Sequence, residues 1–338
     1  MNHFRTLTAA TVVAMGSFSA APVFAQTDLI FNSYLPPFNA SRKAALTDFA
    51  AEIEAQSGGE VTITIPDSTL APSDQQYEML LDGVADMAFL ATDDLSQLVA
   101  LNGIADLPGN APSARAASVA LWETYREMFK SAGEYKGVVL LSTHVLPGRQ
   151  IMGLDDPIDS AESARGAKFW VPNGPLTDVI SSLDAVPVHT NFPEVFETVS
   201  KGLVDALVMT PGSAEAAKVL ERTKYYTTVP GGLGSVSFAV AISEERWNAL
   251  GAEEQAAVLR AADGLPGRTG SALDAADAQA DMSGLTVLQS PANLLEALTP
   301  EMEAQIAGWK ERATAKGIDA DAALAFYRSV LARETGAN

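Results

Sequence analysis

The stretch 48-DFAAEIEAQSGGEVTITIPDSTLAPSDQQYEMLLDGVADMAF-89 decides the fold. Its first turns continue a pattern beginning at Ser41 that sets Ala44, Phe49 and Ile53 on one helical face, and the Gly58-Gly59 pair stops it. Glu60 to Pro66 then alternates apolar and polar residues at period two, which reads as a strand. A helix over about Ser73 to Leu81 follows, and "GVADMAFLA", 83 to 91, returns as a buried strand. With the strand "DLIFNSY", 28 to 34, ahead of it, the order is β-α-β-α-β. Crossovers of this length imply a mostly parallel, doubly wound sheet.

Moving outward, the rhythm restarts after the amphipathic helix 121-LWETYREMFKSAGEYKG-137. Strands are expected in "VVLLSTH" (138–144), "RQIMG" (149–153), "AKFWVP" (167–172), "AVPVH" (185–189) and "VDALVM" (204–209), with helices in "PLTDVISSL" (175–183) and "PEVFETVSKG" (193–202). "SVSFAVAIS", 235 to 243, is a further strong strand. A long helical pattern then runs from about Ser243 to Asp281, broken at "GLPG" (264–267), and two more helices, 300–317 and 319–334, finish the chain. No Ser/Gly/Pro-rich linker separates the two sets. The lobes are therefore expected to be joined by hinges of strand length, near Thr143 to Arg149 and Gly231 to Ser235, with a cleft between them.

The expected fold is thus α/β and two-lobed, with mostly parallel sheets. Residues 26–148 plus about 235–274 form lobe I, and 149–234 plus about 275–338 form lobe II. The first 25 residues carry Arg5, an apolar run from about Leu7 to Ala21 and a Val23-x-Ala25 end. That order reads as a signal peptide cut before Gln26, and places the mature protein in the periplasm. No later segment holds the roughly 18 uninterrupted apolar residues of a transmembrane helix, so direct membrane insertion is not expected.

Composition excludes several chemistries. The chain has no cysteine, hence no disulfide, thiolate nucleophile or Cys-ligated zinc. After signal removal only His144 and His189 remain, too few for a metal or catalytic cluster, and they read as packed or surface residues. The mature chain sets 42 acids against 21 bases, a surface that repels nucleic-acid backbones. No GxSxG elbow, GxxxxGK[ST] loop, HExxH or CxxC is present, and "PGGLG" (230–234) lacks nucleotide-binding spacing and reads as a turn or hinge. Asp93-Asp94 and Asp155-Asp156 are sequence neighbours that point apart on an extended chain, and read as solvated loops or caps. No catalytic residue, metal or cofactor is expected. An exported α/β hydrolase is the remote alternative, since it needs a nucleophile and base in hydrogen-bond reach.

The 48–89 stretch, "PIDSAESARGAKFWVP" (157–172) and "FPEVFETVSKGLVDALVM" (192–209) together resemble the DctP-type solute-binding proteins of tripartite ATP-independent periplasmic (TRAP) transporters, over nearly the whole mature chain. The resemblance implies two lobes around a ligand cleft, a long helix spanning both, no catalysis, and delivery of a small-molecule ligand to the membrane permease subunits. The family's carboxylate-gripping arginine, in a "KGLKIRVP"-like segment, falls on Trp170. A second basic position is retained at Arg149. The family's frequent asparagine falls on Met209 and an occasional acid on Ala91, whereas Phe192 matches an aromatic that lines the cleft. Tyr34 lies in the loop after the first strand, where such clefts open.

Two ligand classes follow. In the favoured one, Arg149 anchors a carboxylate by charge-assisted hydrogen bonds and Trp170, Phe192 and Met209 hold an apolar or aromatic body. In the alternative the ligand is an amine or neutral solute, with Tyr34 and Trp170 as an aromatic cage and Asp93 as counter-charge. A third reading has the protein lose uptake and serve another role such as ligand sensing.

Overall fold

The structure, a computed structural model, describes residues 26–336 apart from residues 38 and 173; the expected signal peptide, residues 1–25, lies outside the described residues. The first part of the chain forms strands β1 (Thr27–Asn32), β2 (Val61–Thr64), β3 (Met87–Ala91) and β4 (Val138–Val145). A second set follows as β5 (Gln150–Gly153), β6 (Lys168–Trp170), β7 (Val186–Val188), β8 (Ala206–Met209) and β9 (Tyr225–Thr228). The chain then returns with β10 (Ser237–Ser243) and leaves again for β11 (Thr286–Gln289). Two sheets result, ordered β2-β1-β3-β10-β4 and β11-β9-β5-β8-β6-β7.

Each sheet is parallel except for one strand. β1 pairs parallel with β2 and β3, and β10 runs antiparallel between β3 and β4. In the second sheet β6, β7 and β8 are parallel neighbours, and β5 runs antiparallel between β8 and β9. β10 and β5 are the strands entered directly from the opposite sheet, which is why they reverse. Two short strands, β9 and β11, add to those expected, because four-residue segments beside polar turns carry little periodicity.

Helices cover both faces of both sheets. Leu29, Phe31, Phe89 and Val240 pack under the helical run Ala40–Gln56 on one face of the first sheet, and Leu80, Leu90, Leu140 and Ala239 fill the other. In the second sheet Phe169, Val179 and Val208 share one core, and Trp170, Leu207 and Val199 the opposite one.

Besides the later passage from β10 to β11, the chain crosses between the sheets at 146–149 and 229–236. These segments bond to each other: Arg149 N–H donates to the Gly234 carbonyl at 2.9 Å, and Leu233 N–H to the Arg149 carbonyl at 2.9 Å. Glycine is required at the contact. Gly232 has φ +82°, and a Cβ there would stand 2.4 Å from the Gly148 Cα. The "PGGLG" segment is therefore the tight turn of a crossing.

Helices brace the pair of sheets. The pattern expected over 243 to 281 resolves into Glu244–Ala249, Ala252–Ala262 and Leu265–Gln279, with the bend at Gly264 (φ +68°) and Pro266 in the first helical turn, where its missing N–H costs nothing. On the last of these, Asp274 accepts from the N–H groups of Ala114 and Arg115, which open a helix beside the first sheet. One turn on, Asp277 accepts from Gly212 N–H at the start of a helix after β8. One helix thus caps an element from each side.

The helix expected from residue 300 instead begins at Ala292 and passes through Pro300 to Ala315. Its Leu294 and Leu298 are buried in the second-sheet core, and Trp309 and Ala313 against Leu101 and Ala117 on the first side. Burial at both ends outweighs an interior proline, which costs about 3 kcal/mol. The final helix, Ala320–Thr335, packs through Tyr327 and Leu331 into the same cluster as Ala117 and Leu121.

Candidate ligand-binding site

The parallel strands of the first sheet end at one edge, where the loops after β1 and β3, the end of β4 and the start of β10 converge. β5 begins at the corresponding edge of the second sheet, where β6 and β8 end, so the crossings bring these two edges together. Ligand sites of open α/β sheets lie at such carboxyl-terminal edges.

The first edge is polar and built from four segments. Buried Arg42 donates to the Leu35 carbonyl (2.7 Å) and the Pro66 carbonyl (3.2 Å), which pins the loop holding Tyr34. Tyr34 lies 6.0 Å from the Phe89 ring, centroid to centroid. Burial pushes its phenol up, Ser73 works against this by hydrogen bonding, and the negative charges of Asp94 and Asp93 add to it. Asp94 itself accepts from the Ser73 hydroxyl.

Thr92 is buried and donates through N–H (3.1 Å) and Oγ1 (2.8 Å) to the Ser237 carbonyl, so Asp93 follows a fixed residue. Arg149 donates from Nη1 to the Ser235 carbonyl at 3.1 Å. Ser237 Oγ donates to Asp106 Oδ2 at 3.1 Å, while Asp106 Oδ1 is buried with no partner among the described residues.

Electrostatics join Arg149, Asp93 and Asp106. Asp93 keeps accessible surface, but protein walls most of its surroundings; this loss of water pushes its carboxyl up to about 6, with Arg149 opposing and Asp94 assisting. Burial also raises Asp106 well above the carboxylate range, and Asp93 adds to that shift. Burial draws the Arg149 guanidinium down, whereas both acids hold it up.

At the second edge the residues singled out from the sequence are packed. Trp170, the last residue of β6, is 4% exposed and packs in one core with Met209, Leu207 and Val199. Its indole N–H donates to Thr190 Oγ1 (3.1 Å) and to the Thr190 carbonyl (3.3 Å), so the one polar atom of the side chain is already engaged. Met209, 2% exposed, ends β8 opposite Gln150. Phe192 opens the short 3-10 helix Phe192–Glu194 after β7 and is 44% exposed.

Among the residues singled out from sequence, the structure therefore gathers Tyr34, Asp93 and Arg149 at the first edge, with Ala91 8% exposed at the end of β3 beside them. It gathers Trp170 and Met209 in a core behind the second. Asp106, Ser235 and Ser237 went unnoticed in the sequence. A lone acid in the apolar run 99-VALNGIADLPG-109, and small polar residues opening the apolar strand 235-SVSFAVAIS-243, were the available signals.

Of the two histidines, His189 Nδ1 lies 3.1 Å from the Val171 carbonyl. His144 is fully buried between Phe89 (4.9 Å) and Phe238 (5.3 Å), and neither ring nitrogen has a partner among the described residues. Burial lowers its pKa to about 3.

Two α/β lobes with a charged edge at the crossings define a periplasmic-binding-protein-like solute receptor. The sequence pattern of DctP, bacterial extracellular solute-binding protein, family 7, matches residues 31–282, and the chain belongs to that family. It is 30% identical to the outer membrane transporter protein TsaT of Comamonas testosteroni, over 97% of this chain and 98% of that one. A TRAP periplasmic solute-binding protein of Bordetella bronchiseptica, solved with bound (R)- and (S)-mandelate, superposes with a TM-score of 0.82 at 26% identity, covering 91% of this chain and 99% of that one. A TRAP solute-binding protein of Rhodoferax ferrireducens T118, in complex with copurified benzoate, shares the fold with a TM-score of 0.78 at 21% identity, over 92% and 99% of the two chains.

The chain is accordingly a TRAP solute-binding subunit, a transport protein that binds small organic solutes without converting them. Among the described residues no helix is long and apolar enough to cross a membrane.

Proposed function

We propose that this protein captures a carboxylate with an apolar or aromatic body, anchored by Arg149, and delivers it to a TRAP permease from the periplasm. The observation that carries this reading is Arg149 itself. Its backbone is bonded in both directions to the crossing at 233–234 and one guanidinium nitrogen is fixed on Ser235, so the side chain is held in place at the junction of the two edges. A guanidinium positioned beforehand binds a carboxylate with little ordering cost. The mandelate and benzoate complexes of related proteins support an aromatic acid as the ligand. Trp170 and Met209 enter as the packed wall behind the ligand, and Tyr34, Ala91 and Phe192 as its border.

A second reading, an amine ligand, is favoured by one observation: two carboxyl groups, Asp93 and Asp106, interact with Arg149.

Ligand contact with both edges favours the closed cleft by its differential affinity for that state, and the closed surface docks on the permease. Export follows cleavage before Gln26, which the amino-terminal sequence of the protein recovered from periplasm checks.

The deciding experiment is a thermal-shift screen of residues 26–338 against aliphatic acids, aromatic acids, amines and polyols. A ligand at 100 times its dissociation constant adds about 2.7 kcal/mol. Stabilisation by aromatic acids is expected; stabilisation by amines or polyols alone overturns the carboxylate reading.

A further inference from the structure

We propose that Asp93 makes this site selective for acids that carry a hydrogen-bond donor, a hydroxyl or an ammonium, on the carbon next to the carboxylate held by Arg149. The inference rests on Arg149 as carboxylate anchor and narrows the ligand class of that site.

Two ionisable side chains, Arg149 and Asp106, and the residue before a third, Asp93, are tied to one short segment, Ser235 to Ser237. The Ser235 carbonyl accepts from Arg149, and its N–H donates to the Asp106 carbonyl at 3.3 Å. Ser237 donates to the Asp106 carboxyl and accepts from Thr92, the residue before Asp93. Asp93 and Arg149 are thereby fixed at the same edge and in each other's field.

Yet the two form no ion pair within 4.0 Å, and the Asp93 carboxyl accepts no hydrogen bond among the described residues. An acceptor without a donor, with accessible surface, stands on the loop after β3 in the field of the anchor. Asp106 is no substitute, being occupied by Ser237 on one oxygen and buried on the other.

A bare carboxylate on Arg149 meets a like charge at Asp93 in a partly dehydrated site, where repulsion is strong. A donor on the adjacent carbon turns that repulsion into a charge-assisted hydrogen bond. The same arrangement disfavours a simple amine, which leaves Arg149 unpaired. Arg149, Asp94, Asp106 and the Tyr34 phenol are the ionisable groups around Asp93. Because burial moves the Asp93 carboxyl to about 6, Asp93 itself becomes a donor in mild acid.

Four probes on one skeleton test this by calorimetry with residues 26–338: phenylacetate, mandelate, phenylglycine and benzylamine. Mandelate or phenylglycine is expected to bind at least tenfold more tightly than phenylacetate at pH 7.5, and benzylamine more weakly than either. The two donor-bearing acids separate a hydroxyl from an ammonium. Asp93→Ala should bring mandelate and phenylacetate within threefold of each other, and Asp93→Asn, which supplies a donor, should tighten phenylacetate. Wild-type phenylacetate affinity should rise as pH falls from 7.5 to 5.5, and this rise should vanish in Asp93→Asn.

Phenylacetate binding as tightly as mandelate and phenylglycine, or an unchanged preference in Asp93→Ala, overturns the role of Asp93. Loss of both acids in Arg149→Ala would then leave the anchor standing. If benzylamine alone binds, or none of the four does, the aromatic-acid reading falls and this inference with it.

Discussion

The edge of the first sheet and the edge of the second are built from equivalent strand ends, yet charged side chains gather at the first whereas Trp170 and Met209 pack into a core at the second. At the first, Asp93, Asp106 and Arg149 are held around Ser235 and Ser237. At the second, Trp170 and Met209 close over Leu207 and Val199, with the indole N–H engaged by Thr190. The difference teaches that equivalent strand ends can gather charged side chains or be closed by packing, according to which residues end the strands.

Changes at the two edges should therefore fail in different ways. The largest effect is expected at Trp170. Trp170→Ala empties a buried site and should lower unfolding stability by about 3 to 5 kcal/mol in a denaturant titration. A loss below about 1 kcal/mol would make Trp170 a ligand contact and erase the contrast.

Arg149→Ala comes next, and its effect should appear in affinity. Loss of charge-assisted bonds of about 1.5 to 3 kcal/mol each predicts at least a hundredfold weaker acid binding by calorimetry. An affinity that survives the substitution would move the anchor elsewhere.

His144 sharpens the picture from beneath the first edge. Its folded pKa of about 3 lies below the unfolded value near 6.5, so the stability it contributes is complete above 6.5 and is lost as pH falls toward 3. His144→Leu removes that linkage. Its stability relative to wild type should improve by about 2 kcal/mol between pH 7 and pH 5, read from paired urea titrations. A pH-independent difference would mean that the ring titrates alike in the folded and the unfolded chain.

The smallest effect is expected at Phe192. With 44% of its surface exposed, Phe192→Ala should change stability by less than about 0.5 kcal/mol. A concurrent fall in affinity for aromatic acids would establish Phe192 as part of the ligand's border.

Much of the fold was legible because it is written locally. The alternation in Glu60 to Pro66, the glycine stop at 58–59 and the buried run at 87–91 each reflect short-range periodicity, and their order forces parallel strands. β9 and β11 escaped because four residues hold too little pattern, and the helix through Pro300 because packing at its two ends overrides a local breaker. Of the side chains gathered at the first edge, Arg149, Asp93 and Tyr34 are singled out by the sequence reading and Asp106 is not: it is held there by Ser237, 131 residues away.

By itself, then, the sequence determined the α/β class, the two sets of elements, the family resemblance and the absence of cysteine chemistry. All of these are set by neighbouring residues or by counting. Only the tertiary structure decided which way Trp170 and Met209 face, which helix caps both sides, and that two acids interact with one arginine. Those outcomes depend on burial and on charges brought together across the chain, and a carboxyl group or an indole has its character fixed by the water it loses and the partners it meets.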